Sequence, residues 1–431
     1  MNLAYDITGD GRFVARAGWG VYFDAFSQDF FVGQLPFNTF NPGPAYNGVG
    51  PSPIGFSVSP AAAIVAGRPV FDASSFSASD VFTVDRHLVT PYVHNFNVTI
   101  ERQIGDRAAV QVGYVGSAGR HLFRYRDVNQ ADPRTGTRPF DGGPFAPDGS
   151  TFSYVNQFES TATSRYDGLQ TSVTVRKWRG LNMRADYTFS HSRDTASDGQ
   201  DYVPNASQPD DSFSPGRERA DSNFDVRHRL TGFFTYALPS TGRAWTKDWS
   251  VDGVFTLASG MPFNVNYLFE DDFNGSGEFF GRPDLVGDPF AGTSGAGRFL
   301  NLSAFAVPCS WDARTGACRP GSGHFGTLGR NAFRGPGYRN VDVSVVKRLD
   351  AGRRAKLELR LDVFNLFNRT NLASPLLPTF GVDFLANGID PATGRGVGFL
   401  PITATPDVAI GNPFLGGGGP RNLQIAAKLS F

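Results

Sequence analysis

The chain has 431 residues, 40% of them apolar, and Lys plus Arg balances Asp plus Glu at 40 each. No net field points toward nucleic acid or an acidic surface, and no run of 18 apolar residues exists to form a transmembrane helix, which says nothing against a membrane wall built of strands. Forty Phe, 51 Gly and 29 Pro against 3 Met suit strands joined by long irregular loops better than helices, so the chain reads as all-β.

The first residues, MNLAYDITGD, hold neither a basic n-region nor an apolar h-region, so nothing in them would direct export. Either the protein stays inside or the chain lacks its true start. Residues 2–6 read as the tail of an earlier strand and 7–11 as a turn into a strand at 12–23. Further strands are expected over 93–103, 107–128, 166–177, 181–190, 224–238 and 249–267. The alternation is strict in 181–190, where Leu181, Met183, Ala185, Tyr187 and Phe189 oppose Asn182, Arg184, Asp186, Thr188 and Ser190. In 338–349, Val341, Val343 and Val345 oppose Asn340, Asp342 and Ser344.

It is strictest in 354–364. There Ala355, Leu357, Leu359, Leu361 and Val363 form one row and Arg354, Lys356, Glu358, Arg360 and Asp362 the other. In a membrane wall, a one-residue slip would turn those charges toward lipid at roughly 2–4 kcal/mol for each Arg or Lys near the midplane. The last segment, 421–431, alternates without error, with Leu423, Ile425, Ala427, Leu429 and Phe431 on one face, and it stops on an aromatic residue. A strand of about ten residues with lipid on one side and a wet lumen on the other requires this pattern.

Short joints at 104–106, 178–180, 239–248 and 350–353 alternate with long connections at 24–92, 129–165, 191–223, 268–337 and 368–420. Structureless loops of such length are unusual in compact soluble domains, whereas outer-membrane barrels place short turns on the periplasmic side and long loops outside. The expected fold is therefore an antiparallel transmembrane β-barrel wall of about ten strands, with the last strand running inward and Phe431 at the periplasmic rim.

Trp19, Tyr22, Tyr114, Trp178, Tyr187, Phe189, Tyr236 and Trp249 lie near strand ends or on the apolar face, as interfacial girdles use aromatic rings; the alternative is ordinary β-core packing. Arg184, Asp186, Asp342, Lys356, Glu358, Arg360 and Asp362 are expected on the lumen face. They form either a polar passage or mutual ion pairs that stiffen the wall, and we favour the second, because unpaired burial would cost more than pairing. Cys309 and Cys318 sit in a Gly/Pro-rich stretch that suits a small loop disulfide formed after export, the alternative being two free thiols. Asp272, Asn274, Ser276 and Glu278, and likewise Asp6, Thr8 and Asp10, loosely resemble oxygen-ligand calcium loops, but the twelfth position counted from Asp6 is Ala17, so Asp/Asn/Gly turn chemistry is the better reading. His87, His94, His121, His191, His228 and His324 are scattered without metalloenzyme spacing, and no nucleophile elbow is present, so neither a metal, a cofactor nor catalysis has sequence support.

Several stretches resemble one family: GDGRFVARAGWGVYF (9–23), QVGYVGSAGRHL (111–122), residues 166–190, FDVRHRLTGFFTYAL (224–238), GTLGRNAFRGPGYRNVDVSVVK (326–347), LRLDVFNLFNRTN (359–371) and the terminal strand. Together they are similar to the C-terminal part of the barrel of Oar-like TonB-dependent receptors. The resemblance implies a 22-stranded barrel, a plug with a TonB box and often a further N-terminal domain. It also implies TonB as a partner through that plug, an external solute as ligand, and an aromatic terminus, here Phe431, read by the barrel assembly machinery. None of the plug, TonB box or signal peptide is visible in this sequence, so residues 1–431 are expected to be the C-terminal part of the barrel, with no seam between 12–23 and the last strand. His228 and Arg229 match a family pattern and are expected to hydrogen-bond within the wall. The other readings are a self-contained ten-stranded barrel serving as an adhesin or structural protein, and a secreted β-sandwich, which leaves the loop alternation unexplained.

Overall fold

The computed structural model describes residues 1–23, 64–65, 68–69, 81–141, 154–197, 208–267, 272–278, 281–295, 297–350, 355–373, 382–402, 405 and 419–431. Its main element is one meandering sheet of β1 (Asn2–Asp6), β2 (Phe13–Phe23), β3 (Tyr92–Ile104), β4 (Ala108–Asp127), β5 (Val155–Trp178), β6 (Leu181–Asp194), β7 (His228–Ala237), β8 (Trp249–Ala258), β9 (Tyr338–Asp350), β10 (Lys356–Phe364) and β11 (Asn422–Ser430). Each strand pairs antiparallel with its chain neighbour in this series, and two short pieces add at its margin: Val81–Val84 parallel to β5, and Ala220–Asp221 against β6. β1 is bonded only to β2 and β11 only to β10, so among the described residues the sheet is open and its edges do not meet.

Register sorts the side chains into two faces. Leu423, Ile425, Ala427 and Leu429 stand opposite Val363, Leu361, Leu359 and Leu357, while Gln424, Ala426, Lys428 and Ser430 stand opposite Asp362, Arg360, Glu358 and Lys356. Followed strand by strand, the first face carries Val251, Phe255, Tyr236, Leu230, Phe189, Leu169, Tyr114, Ile100 and Trp19, and the second carries Arg184, Asp186, Gln111 and Glu101. Glycines on the apolar face leave room for rings: a Cβ on Gly116 would lie 2.1 Å from the Phe96 ring, and one on Gly232 would lie 2.4 Å from Phe255. Cross-strand packing of this kind pins the register.

At one end the strands join tightly. Between β5 and β6, Arg179 and Gly180 have φ of 48° and 87°, the doubly left-handed pair that a two-residue hairpin matched to strand twist requires. At the other end several strands run beyond their expected limits. β5 begins at Val155 rather than 166 because both its faces are covered there: Asn156, Glu159 and Ser160 are buried as fully as Phe158 and Ala162, so alternation disappears from the sequence. Conversely, the segment expected to be one strand over 249–267 leaves the wall after Ala258. A Cβ on Gly260 would stand 1.8 Å from the Gly335 carbonyl oxygen, and the chain there crosses another strand end at close quarters. The segment expected at 224–238 forms strand only from His228.

The larger correction concerns the long connections. Those after β8 and β10 are not irregular; they fold on each other into a cap at the loop end. Pro262–Phe263 pairs with Phe333–Arg334, Val265–Asn266 lies parallel to Val382–Asp383, and Leu300–Asn301 pairs with Phe399–Leu400. Around these ladders Phe263, Val265, Tyr267, Leu300, Leu302, Phe305, Val307, Leu328, Phe333, Val382 and Phe384 form the largest buried apolar cluster among the described residues. The apolar core therefore lies beyond the wall rather than within it. Much of the expected connection at 24–92 lies outside the described residues.

Candidate functional site

The cap is the structured surface at the loop end, and charged side chains fasten it to the wall. Arg282, whose side chain is 1% exposed, donates from both terminal nitrogens to Glu218 at 2.8 and 2.7 Å and from Nε to the Leu328 carbonyl at 3.0 Å. Its backbone N–H donates to Asp210 at 3.1 Å. Arg330 reaches the Asp194 carboxylate at the end of β6, the Asp194 carbonyl at 2.9 Å and the Glu218 carbonyl at 2.9 Å. Arg334 binds Asp221 and Asp225, and Arg227 binds Asp221 at 3.0 Å. Three arginines from the connection after β8 thus dock on the connection after β6. Two of them, Arg330 and Arg334, fall in the 326–347 stretch quoted above, but nothing in their spacing names the partners; pairing across about a hundred residues is visible only after folding.

Burial pushes the Glu218 carboxyl up, and Arg282 more than offsets it, so Glu218 lies below the usual carboxylate range. Glu278 is the opposite case. It is buried, receives an uncharged donor from Gln208 at 3.1 Å and faces Asp127 and Asp210, so burial first and these neighbours second raise it well above its ordinary value despite Arg138. A raised folded value means that the folded protein holds a proton the unfolded chain has lost. Stability from this group is therefore fully present below the ordinary value of 4.5 and is lost as pH rises toward the folded value. We expect Glu278→Gln to raise the thermal midpoint at pH 8 and to flatten its decline between pH 5 and pH 9, as followed by circular dichroism; an unchanged slope would refute the assignment.

Residues 272–278 and 6–11 form capped turns, as their Asp/Asn/Gly chemistry suggests. Asp272 accepts from the Gly277 N–H at 2.8 Å and Asn274 from the Ser276 N–H at 2.9 Å, while Asp6 accepts from Gly9 at 3.0 Å and Gly11 at 2.7 Å. Among the described residues no group of three or more His, Cys, Asp or Glu could hold a metal ion. Cys309 and Cys318 are bridged, with Cα atoms 5.7 Å apart, closing the Trp311–Asp312 and Ala317–Cys318 hairpin against the cap core. Replacing both with Ser is expected to destabilise the cap by about 2–3 kcal/mol through the freed unfolded chain, read as faster proteolytic cleavage within 308–323.

The expected lumen residues share one face but do not converge. Arg184 and Asp186 pair at 2.9 Å on β6. Three and four strands away, on β9 and β10, Arg360 pairs with Asp362 at 2.9 Å, Glu358 with Arg348 at 3.0 Å, and Asp342 accepts from the Asn365 N–H at 2.8 Å. Lys356 stands opposite Ser430 and Asp350 in register. Of the expected girdle, Trp178, Tyr236 and Trp249 lie on the apolar face at the short-turn end, where the Lys347 ammonium sits 5.4 Å over the Trp249 ring. Trp19, Tyr187 and Phe189 lie on the same face toward the loop end, with the Tyr187 hydroxyl 2.9 Å from His228 Nδ1. Along β7, from Tyr236 to His228, these two levels are about 26 Å apart, or about 20 Å in depth at a 40° tilt, close to the apolar band of an outer-membrane barrel. Tyr22 is displaced from its expected place: it stands opposite Val93, on the face of Gly18 and Gly20 rather than of Trp19, because one residue separates the faces of a strand. Phe431 is exposed at the short-turn end beside the start of β10.

An apolar outer band between two aromatic levels, a wet ion-paired inner face, and short turns opposite long folded loops define the wall of an outer-membrane β-barrel. Residues 1–388 match the family of outer membrane beta barrel domains, and the chain belongs to that family. It is an outer-membrane protein, its short turns periplasmic and its cap extracellular. No match was found among curated proteins. Among solved structures, the chain is similar to the pyoverdine outer membrane receptor FpvA of Pseudomonas aeruginosa, at 12% identity and a TM-score of 0.41 over 100% of this chain and 35% of that one. It is also similar to the ferric-catecholate import receptor Fiu of E. coli (13%, 0.38, 100% and 34%) and the outer membrane transporter YddB of E. coli (8%, 0.44, 92% and 39%). The chain spans between a third and two fifths of their length, and nothing about substrate follows from likeness at this level.

Proposed function

We propose that the chain is the C-terminal part of the barrel of an Oar-like TonB-dependent receptor, with the cap as part of its external recognition surface. The observation that carries this reading is the cap itself: a cored, disulfide-closed platform held by buried ion pairs over the mouth of a wall whose inner face is polar. A fixed platform on a rigid scaffold is how loops achieve recognition, and a sheet whose edges are unbonded among the described residues accords with further strands completing the barrel. In the intact receptor the solute would bind outside and enter when TonB moves the plug, and Phe431 would serve insertion by the barrel assembly machinery.

The test is uptake by cells carrying the full gene, with and without working TonB, using radiolabelled ferric chelates, cobalamin and oligosaccharides as probes. Accumulation of one probe that requires TonB, and that Arg282→Ala in the cap reduces, is the expected result. TonB-independent binding to the cell surface without uptake would replace this reading with the adhesin. A chain that is monodisperse and soluble without detergent would defeat both.

A further inference from the structure

Arg120 of β4, Arg165 of β5, Arg193 of β6 and Arg219, just before the Ala220–Asp221 piece, line one small cavity of about 80 Å³. Arg165 and Arg193 stand directly opposite each other in register, an arrangement that costs stability when nothing lies between the charges. Their counter-charge is shared with other groups: Asp167 faces Arg193 as well as Arg165, and Asp221, opposite Arg193 in register, is paired with His191, Arg227 and Arg334. Arg165 is paired with Asp167 at 2.6 Å, and Asp194, which also borders the cavity, is taken by Arg330. Arg120 donates to the adjacent Gly119 carbonyl at 3.1 Å, and neither it nor Arg193 nor Arg219 has an ion pair among the described residues.

The position gives the cluster its meaning. Register puts Arg120, Arg165 and Arg193 on the outer, lipid-side face, in line with Ala118, Leu169 and Phe189. Leu169 and Phe189 are exposed apolar residues of the band, and Arg165 and Arg193 lie four positions beyond them toward the loop end, roughly 13 Å along the strands. The Arg165 guanidinium rests 5.1 Å over the Phe96 ring, an anchor between band and headgroup level. Guanidinium forks match phosphate oxygens bidentately.

We propose that this cluster binds the phosphate headgroup of an outer-leaflet lipid, whose acyl chains would lie along the surface of Leu169 and Phe189. A free phosphate would satisfy the same nitrogens, but continuity with the apolar band favours the lipid.

The full chain, extracted from outer membranes in mild detergent, is examined by native mass spectrometry with added outer-leaflet lipid, the same lipid after phosphatase treatment, and inorganic phosphate. Binding of the phosphorylated lipid is expected at least about tenfold tighter than of the dephosphorylated one, and R120Q/R193Q/R219Q is expected to lose at least about tenfold. The corresponding triple Lys variant, which keeps the charge, should retain most of the binding. Equal binding of the two lipids by the unaltered chain overturns the proposal whether or not the variants fold. Displacement of the lipid by millimolar inorganic phosphate overturns the choice of a lipid and leaves a simple anion site.

Discussion

Arg282→Ala is expected to unfasten the cap while leaving the wall paired, at a cost of about 3–5 kcal/mol. The figure is that of removing one partner from a buried ion pair: Glu218, 1% exposed, would lose two hydrogen bonds and remain a buried charge beside Asp210. The loss is local because the pair joins two connections rather than two wall strands. Hydrogen exchange should therefore accelerate in 208–222 and 326–335, with β4 to β9 unchanged. The double variant E218Q/R282M should cost less than the sum of its two single changes, since neither leaves the other stranded. Acid dependence supplies a sign. The depressed Glu218 carboxyl contributes stability that is present above its ordinary value of 4.5 and lost as pH falls through the folded value. Without Arg282, burial is opposed only by Arg330 and Arg124, and the stability lost near pH 5 should shrink. An Arg282→Ala protein whose cap exchanges at the original rate would show that the cluster is ornamental and that apolar packing alone holds the cap.

The second large effect separates the two faces of one strand. Val112 on β4 is 42% exposed on the outer face, between Ile100 and Thr171 and midway along the band. Val112→Arg is expected to cost about 2–4 kcal/mol of stability in lipid, the depth-dependent penalty of a midplane cation. The adjacent Gln111 faces the lumen near Arg107, Arg176 and Arg184, and Gln111→Glu should change stability by no more than about 0.5 kcal/mol. Reversible urea unfolding from vesicles of both variants provides the comparison. Equal costs would mean that the face assignment is wrong, since neighbours in a strand differ only in the side to which they point.

The wall was legible because lipid imposes a simple grammar. From 181–190 or 354–364 alone, alternation reveals the strand, its two faces and the residues that cannot be exchanged, and the same logic gives ten strands whose centres are all found in the structure. Where an environment is the same on both sides, the grammar fails. Val155–Ala162 is strand yet reads as loop because most of its side chains on both faces are buried, Phe158 against Phe123, Tyr125 and Leu88, and Tyr22 reads as a girdle residue although parity sends it inward.

The cap was illegible for a related reason. Its ladders are two residues long, too short to show a period, and its core residues Phe263, Leu302, Phe333 and Phe384 come from two connections separated by β9 and β10. Asp210, Glu218, Arg282 and Arg330 look in sequence like any solvated loop charges in a chain whose formal charges balance. Alternation along a strand is a local response to two solvents, so the sequence by itself determined the strands, their faces, their order and the side from which the long connections leave. Which distant charge meets which, and that the loops enclose a core at all, depends on chain segments closing on one another across many residues. Only the tertiary structure decided that.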